Sequence, residues 1–241
     1  MLLFSGTAVI TVRDYFGIWA NAPQVRVQYE STMTAVMDYL AEQNAANMAV
    51  STITPAPFHT PALAQMTLPS DVTQPRWFDG RGSLIVPNAD DALIVFSGFA
   101  PPAEALQPYL ETAVLQDTLP LRPTDQDRPV WIYRAAAEEA VTAWHSWLTP
   151  QAAQFGEATT LLGYDLQAEQ AAPGEAVKMI TVWRVQRPLP GLRLFTHLVG
   201  PDGVPLAQTD RLDAPSGSWV AGDWLVQLHE IMIPEETAVG R

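Results

Sequence analysis

The chain has no cysteine among its 241 residues. Disulfides and thiolate zinc sites are therefore excluded, although that absence does not fix the compartment. Positive charge is scarce as well: 13 basic residues against 26 acidic ones leave a formal net charge of -13. A nucleic-acid partner needs a basic footprint to meet the phosphate backbone, and the chain does not carry one. The same imbalance would repel most of the molecule from an anionic membrane surface. Long apolar runs are lacking too. The N-terminal run ends at Arg13, short of the ~20 residues that span a bilayer. No basic segment precedes it, so it does not read as a signal peptide. Two readings of it stand level: the start of a buried helix, or the trailing end of a longer membrane segment.

Signatures of chemistry are equally thin. No Gly-x-Ser-x-Gly elbow supports a hydrolase nucleophile. Gly80-Arg81-Gly82 is only a fragment of a glycine loop, so no dinucleotide or other cofactor is expected. His59, His145, His197 and His229 are scattered, with no His-x-x-x-His or His-x-His pair to hold a metal. His197 and His229 fall on neighbouring predicted strands and are placed to face each other, but ordinary packing is the favoured reading. Asn88, Asp90 and Asp91, and likewise Asp202, Asp210 and Asp213, show no calcium-loop pattern and read as solvated turn residues.

What the chain does contain is apolar and proline-rich: 48% hydrophobic, 16% charged, with 21 prolines. That is a globular, loop-rich chain with enough length to bury a substantial core. Residues 159–166, 175–185, 192–199 and 224–233 are strand-like, with β-branched and aromatic residues in loose alternation. Pro173-Gly174, Pro190-Gly191 and Pro201-Asp202-Gly203 punctuate them as turns. The pattern predicts an all-β sandwich, and its count of about five strands leaves the sandwich incomplete at the C-terminal end, just where Ala238-Val239-Gly240-Arg241 would begin another strand.

Upstream, helices are expected at 7–20, at 31–43 with Ser31 or Thr32 as N-cap, as one turn at 61–65, and at 101–110 and 135–148. On the second of these Met33, Val36, Met37 and Leu40 follow the i, i+3, i+4, i+7 rule of a core stripe. Strands are expected at 25–29, 48–53, 83–86, 92–96 and 130–133, giving an α/β layer with a mostly parallel sheet. The division expected is residues 1–12 as the possible end of a membrane helix, 13–134 as an α/β domain, 135–155 as a helical connection closed by Thr149-Pro150, and 156–241 as the sandwich. No internal repeat or low-complexity tract is present. Among the aromatics, Trp77, Phe78, Tyr164, Trp219 and Trp224 offer stacking faces for sugar rings. Trp183, inside an alternating strand, reads as core.

Three patches carry a resemblance. Thr11 to Ala20 contains Arg13-Asp14-Tyr15-Phe16-Gly17-Ile18-Trp19. Arg76 to Pro87 reads Arg-Trp-Phe-Asp-Gly-Arg-Gly-Ser-Leu-Ile-Val-Pro. Phe195-Thr196-His197-Leu198, Asp202-Gly203, Ala207 to Asp210, Trp219, Gly222-Asp223 and Ile233-Pro234 form the third. Together they resemble the external C-terminal region of bacterial polytopic glycosyltransferases of the GT-C type, relatives of protein O-mannosyltransferases. The resemblance spans most of the chain, but its motifs are structural. It implies a fragment of a longer membrane protein, on the extracytoplasmic side, whose parent moves a sugar from a polyprenyl-phosphate carrier. The implied partners are the membrane-embedded part of the same parent and a glycan or polyprenyl-linked sugar. The family's catalytic acidic residue lies in an external loop near the N-terminus of the full protein, so no catalytic residue carries over, and this chain by itself is expected not to be catalytic. Tyr15, Phe16 and Trp19 would sit at the membrane interface. Arg13, Asp14, Trp77, Asp79 and Arg81 would form the junction. The helix at 135–148 and the missing last strands depart from the family pattern. The alternative is a secreted carbohydrate-binding β-sandwich using Trp219 and Trp224.

Overall fold

The computed structural model of the chain describes residues 2–168 and 170–237. Residues 238–241, where the sequence places the start of a further strand, lie outside the described residues. The chain opens with α1 (Leu2–Val12), which runs on through a π-helical stretch (Arg13–Ile18) and a 3-10 turn (Trp19–Asn21). Asn21 ends this helix by donating its side-chain amide to the carbonyls of Phe16 and Gly17, at 3.0 and 2.9 Å. Pro23 does not stop the chain there but starts α2 (Pro23–Gln28). Its fixed φ and missing N–H cost nothing in a first helical turn, which is why the strand expected at 25–29 is a helix instead.

Next comes α3 (Ser31–Gln43), with Met33, Val36, Met37 and Leu40 all buried as the stripe predicted. Its N-cap is neither Ser31 nor Thr32 but Glu30, which holds a left-handed backbone (φ 49°) and makes no capping side-chain bond. The remaining elements are β1 (Met48–Ser51), α4 (Thr60–Thr67), β2 (Arg76–Phe78), β3 (Ser83–Val86), β4 (Ala92–Phe96), a 3-10 segment (Glu104–Leu110), β5 (Val114–Thr118), β6 (Trp131–Ala135), α5 (Ala137–His145), β7 (Thr149–Phe155), β8 (Thr159–Leu166), β9 (Ala176–Val185), β10 (Thr196–Val199), β11 (Pro205–Thr209) and β12 (Trp224–Met232).

The first sheet has the order β2-β1-β4-β6-β5. β1 is parallel to both β2 and β4, whereas β6 is antiparallel to both β4 and β5. The sheet is therefore mixed, not mostly parallel. A parallel addition needs a crossover of a dozen or more residues, usually an α-helix. The segment after β4 supplies only a 3-10 run with Pro108 inside it, and the chain turns back antiparallel.

The second sheet, β3-β12-β9-β8-β7, is antiparallel throughout, and β10-β11 forms a separate hairpin. Two features of it were not legible beforehand. Residues 149–155, expected within a helical connection, form the outermost strand β7, where Pro150 is tolerated because the outer side of an edge strand has no ladder hydrogen bond to lose. And β3, only four residues after β2, enters the second sheet beside β12. Phe78, Leu84 and Ile94 consequently share one hydrophobic core with Ile180, Val182 and Val226. A second core lies between α3 and the first sheet, around Leu40, Val50, Leu93 and Ile132.

Candidate functional site

The Arg76–Ser83 patch is where the two five-stranded sheets are joined. Arg76, almost fully buried, places Nε 3.1 Å from Asp223 Oδ2 and Nη2 3.3 Å from Oδ1. Asp223 also accepts the backbone N–H of Val220 at 2.8 Å and of Asn88 at 3.3 Å. Three positions after Arg76, the Asp79 N–H donates to the Asp213 carbonyl at 2.8 Å. Gln227, fully buried on β12, donates to the Gly82 carbonyl at 3.0 Å and to the Asp213 carboxylate at 2.9 Å. A Cβ on Gly82 would collide with that carboxylate and force it off its present bonds.

Of the sequence-predicted contact residues, Trp77 and Trp219 are only 3% exposed. Trp219 donates its indole N–H to the Ala214 carbonyl. Neither ring face is open to a sugar, which corrects the stacking role expected of both. Asp79 is buried and holds the half-exposed Arg81, whose guanidinium is kept protonated above its usual value by that hydrogen bond. Trp77, Asp79 and Arg81 stand at a joint inside the chain, between β2 of the first sheet and β3 of the second. Among the described residues, Arg13 and Asp14 pair with each other on the exposed helix. Trp183 is buried, as expected. His197 does not meet His229: their strands lie in different sheets, and the residue before it, Thr196, touches His229 Nδ1 at 2.9 Å instead.

Trp224 is different. It lies on β12, not in a loop, with the Arg184 guanidinium carbon 4.3 Å from its ring centre. Together they form one wall of a groove of about 540 Å³, and Asn88, Asp90, Glu138 and His145 supply polar groups around it. Burial lowers the Arg184 pKa, which marks this cation as partly stripped of water.

A second site has no counterpart in the sequence-based reading. β1 lies between its two parallel neighbours, β2 on one side and β4 on the other. In open α/β sheets ligands bind beyond the carboxyl ends of the strands at such a divergence. A cleft of about 140 Å³ opens there. Its floor comes from the residues that follow β1 and β4, Thr52 and Ser97, both buried. Thr52 Oγ1 is 3.1 Å from Thr60 Oγ1, which is 2.8 Å from Thr54 Oγ1. Glu30, Phe99 and Asp127 complete the rim.

Glu30 reaches the rim because it ends α2 in the left-handed region, a position usually filled by glycine or asparagine. Such strain costs on the order of 1–3 kcal/mol and gathers at functional sites. Asp127 accepts the Phe99 N–H at 2.6 Å, and burial pushes its pKa up. Arg26 also faces the cleft, but Asp125 engages it through both carboxylate oxygens, and that bond holds the Asp125 pKa down. The cleft's lining is drawn from five separate segments between residues 26 and 127. The only signal the sequence offered was hydroxyl residues placed directly after two buried apolar strands.

No group of three or more acidic or histidine side chains suited to a metal occurs among the described residues. Compared with known protein families, curated proteins and solved structures, the chain matches none.

Proposed function

We propose that this chain is an extracytoplasmic module of a membrane glycosyltransferase that uses a polyprenyl-phosphate sugar, resting on the membrane through its N-terminal helix. Its task is to brace the embedded part or to position a glycan acceptor. The observation that carries the membrane reading is the helix over residues 2–21. Val9, Ile10 and Val12 are 69%, 55% and 57% exposed. At about 100° per residue they span an arc of about 160° around the axis. An apolar face this wide is normally buried in a core or a bilayer, and no described part of this chain covers it.

Where the apolar stretch ends, Tyr15 stacks on Trp19 with ring centres 4.8 Å apart, and Tyr29 meets Trp19 edge-on at 5.7 Å. Exposed aromatic rings of this kind collect at membrane–water interfaces. None of the described helices is long and apolar enough to cross a membrane. The 11 residues of α1 cover about half of a hydrocarbon core ~30 Å thick. The three motif patches support the glycosyltransferase part of the reading.

The chain is expected to float with phosphatidylcholine vesicles, and the double substitution Val9→Asp, Phe16→Asp to weaken that partition by at least ~100-fold. A wild-type chain that stays in the aqueous fraction would sink the membrane placement. The parent enzyme is tested separately: the genomic frame upstream of the Met1 codon must encode several apolar helices.

The Trp224 groove favours a second reading, a carbohydrate-binding protein. In that case glycan-array binding should disappear in Trp224→Ala and persist in Val9→Asp.

A further inference from the structure

The geometry points to the cleft beyond β1 and β4 as a binding site for a single neutral pyranose ring. Size is the first argument. The cleft measures about 140 Å³, and since a cavity on the order of 150 Å³ takes a bare ring such as benzene, it has room for the ring of one sugar and not for a second residue. The second is the chemistry of its lining. Val27, Met33, Ile53 and Phe99 contribute apolar lining, while Thr52, Thr54 and Thr60 contribute hydroxyls. A pyranose has the same two characters, a face of C–H groups and an edge of hydroxyls that both donate and accept.

Proton counting adds a third. Three threonine hydroxyls carry three protons, and the two contacts among them, at 3.1 and 2.8 Å, use two. One donor is left for a ligand. Glu30 and Asp127 on the rim supply acceptors for sugar O–H groups. Charge excludes the main competitor. Among the described residues that line the cleft the one cation, Arg26, is already held by Asp125, so a phosphate would meet carboxylates with no uncompensated positive charge.

This inference rests on the proposed function for why a sugar would be presented, since it gives the glycan-positioning role a place. Its test is independent of the vesicle experiment, so either can fail alone. Methyl α-D-mannopyranoside, methyl α-D-glucopyranoside and methyl N-acetyl-β-D-glucosaminide are titrated into the whole chain, with methyl-labelled NMR as the readout. At least one should bind in the millimolar range and shift the methyl signals of Thr52, Thr54 and Thr60. Asp127→Asn and Phe99→Ala should each weaken it about tenfold, with thermal melts confirming the fold, whereas Trp224→Ala should leave it unchanged. No shift with any of the three glycosides overturns the inference. So does binding that is lost in Trp224→Ala but kept in Asp127→Asn, or inorganic phosphate that shifts the same signals more strongly than the sugars.

Discussion

Removing either partner of the Arg76–Asp223 pair should cost about 3–5 kcal/mol of folding stability, the usual range for breaking a buried ion pair from one side. The two substitutions are not equivalent. In Arg76→Met the stranded Asp223 keeps two backbone N–H donors, from Val220 and Asn88. In Asp223→Ala the stranded guanidinium keeps none of its present side-chain acceptors, and its Nη1 already lacks a hydrogen-bond partner. A carboxylate can also shed its charge by taking up a proton, which a guanidinium cannot do. Asp223→Ala should therefore lie at the upper end of the range and Arg76→Met at the lower. For a chain of this size about 4 kcal/mol corresponds to a fall in Tm of roughly 10 °C. Urea unfolding of the two variants and of their double mutant checks the ordering. Single variants that each lose less than about 1 kcal/mol would show that the pair does not hold the two sheets together.

The second large effect is on pH dependence. His229 is 2% exposed, and burial lowers its pKa from 6.5 to about 4. Its Nε2 lies 2.8 Å from Thr181 Oγ1, which already accepts the indole N–H of Trp183 at 2.7 Å. The other acceptor in reach of the Thr181 proton, the Gln227 carbonyl, is 3.5 Å away, so the proton is best directed at Nε2, which assigns the proton on the imidazole to Nδ1, facing Thr196. Protonating the ring would force Thr181 to turn its hydroxyl away and would place a charge in an apolar core.

With the folded pKa below the unfolded one, the unfolded chain binds more protons between pH 6.5 and 4. Stability is thus complete above about pH 6.5 and falls as the pH drops towards 4, with the loss levelling off below that. A shift of this size corresponds to about 3 kcal/mol. Titrating carboxylates act in the same range, so the measurement is the difference between the wild type and His229→Gln. The variant's stability should fall less steeply from pH 6.5 to 4. Parallel profiles would contradict the assignment.

Local order along the chain was legible wherever periodicity and punctuation agreed. α3 with its buried methionine stripe, and β4, β8, β9 and β12, follow directly from side-chain spacing, because an apolar face must be buried whatever partner it meets. Partner choice is what spacing leaves open. β3 reads as one more strand of the α/β layer, and nothing in Ser-Leu-Ile-Val says that it pairs with β12, about 140 residues later. The Arg76–Ser83 motif was legible as a motif but not as a joint, since its partners Asp213, Asp223 and Gln227 are as remote. Trp77 and Trp219 illustrate the same limit: an indole reads alike in sequence whether it faces solvent or fills a core.

From composition alone, then, came the exclusion of thiol chemistry and of a basic nucleic-acid footprint, because those need residue types that are missing or outnumbered. Side-chain spacing placed most of the strands and the packed face of α3. Only the tertiary structure decided which aromatics are covered, which polar groups are paired inside the protein, and where a cleft opens beyond β1. Those properties depend on contacts between residues far apart in the chain, and one-dimensional order does not specify such contacts.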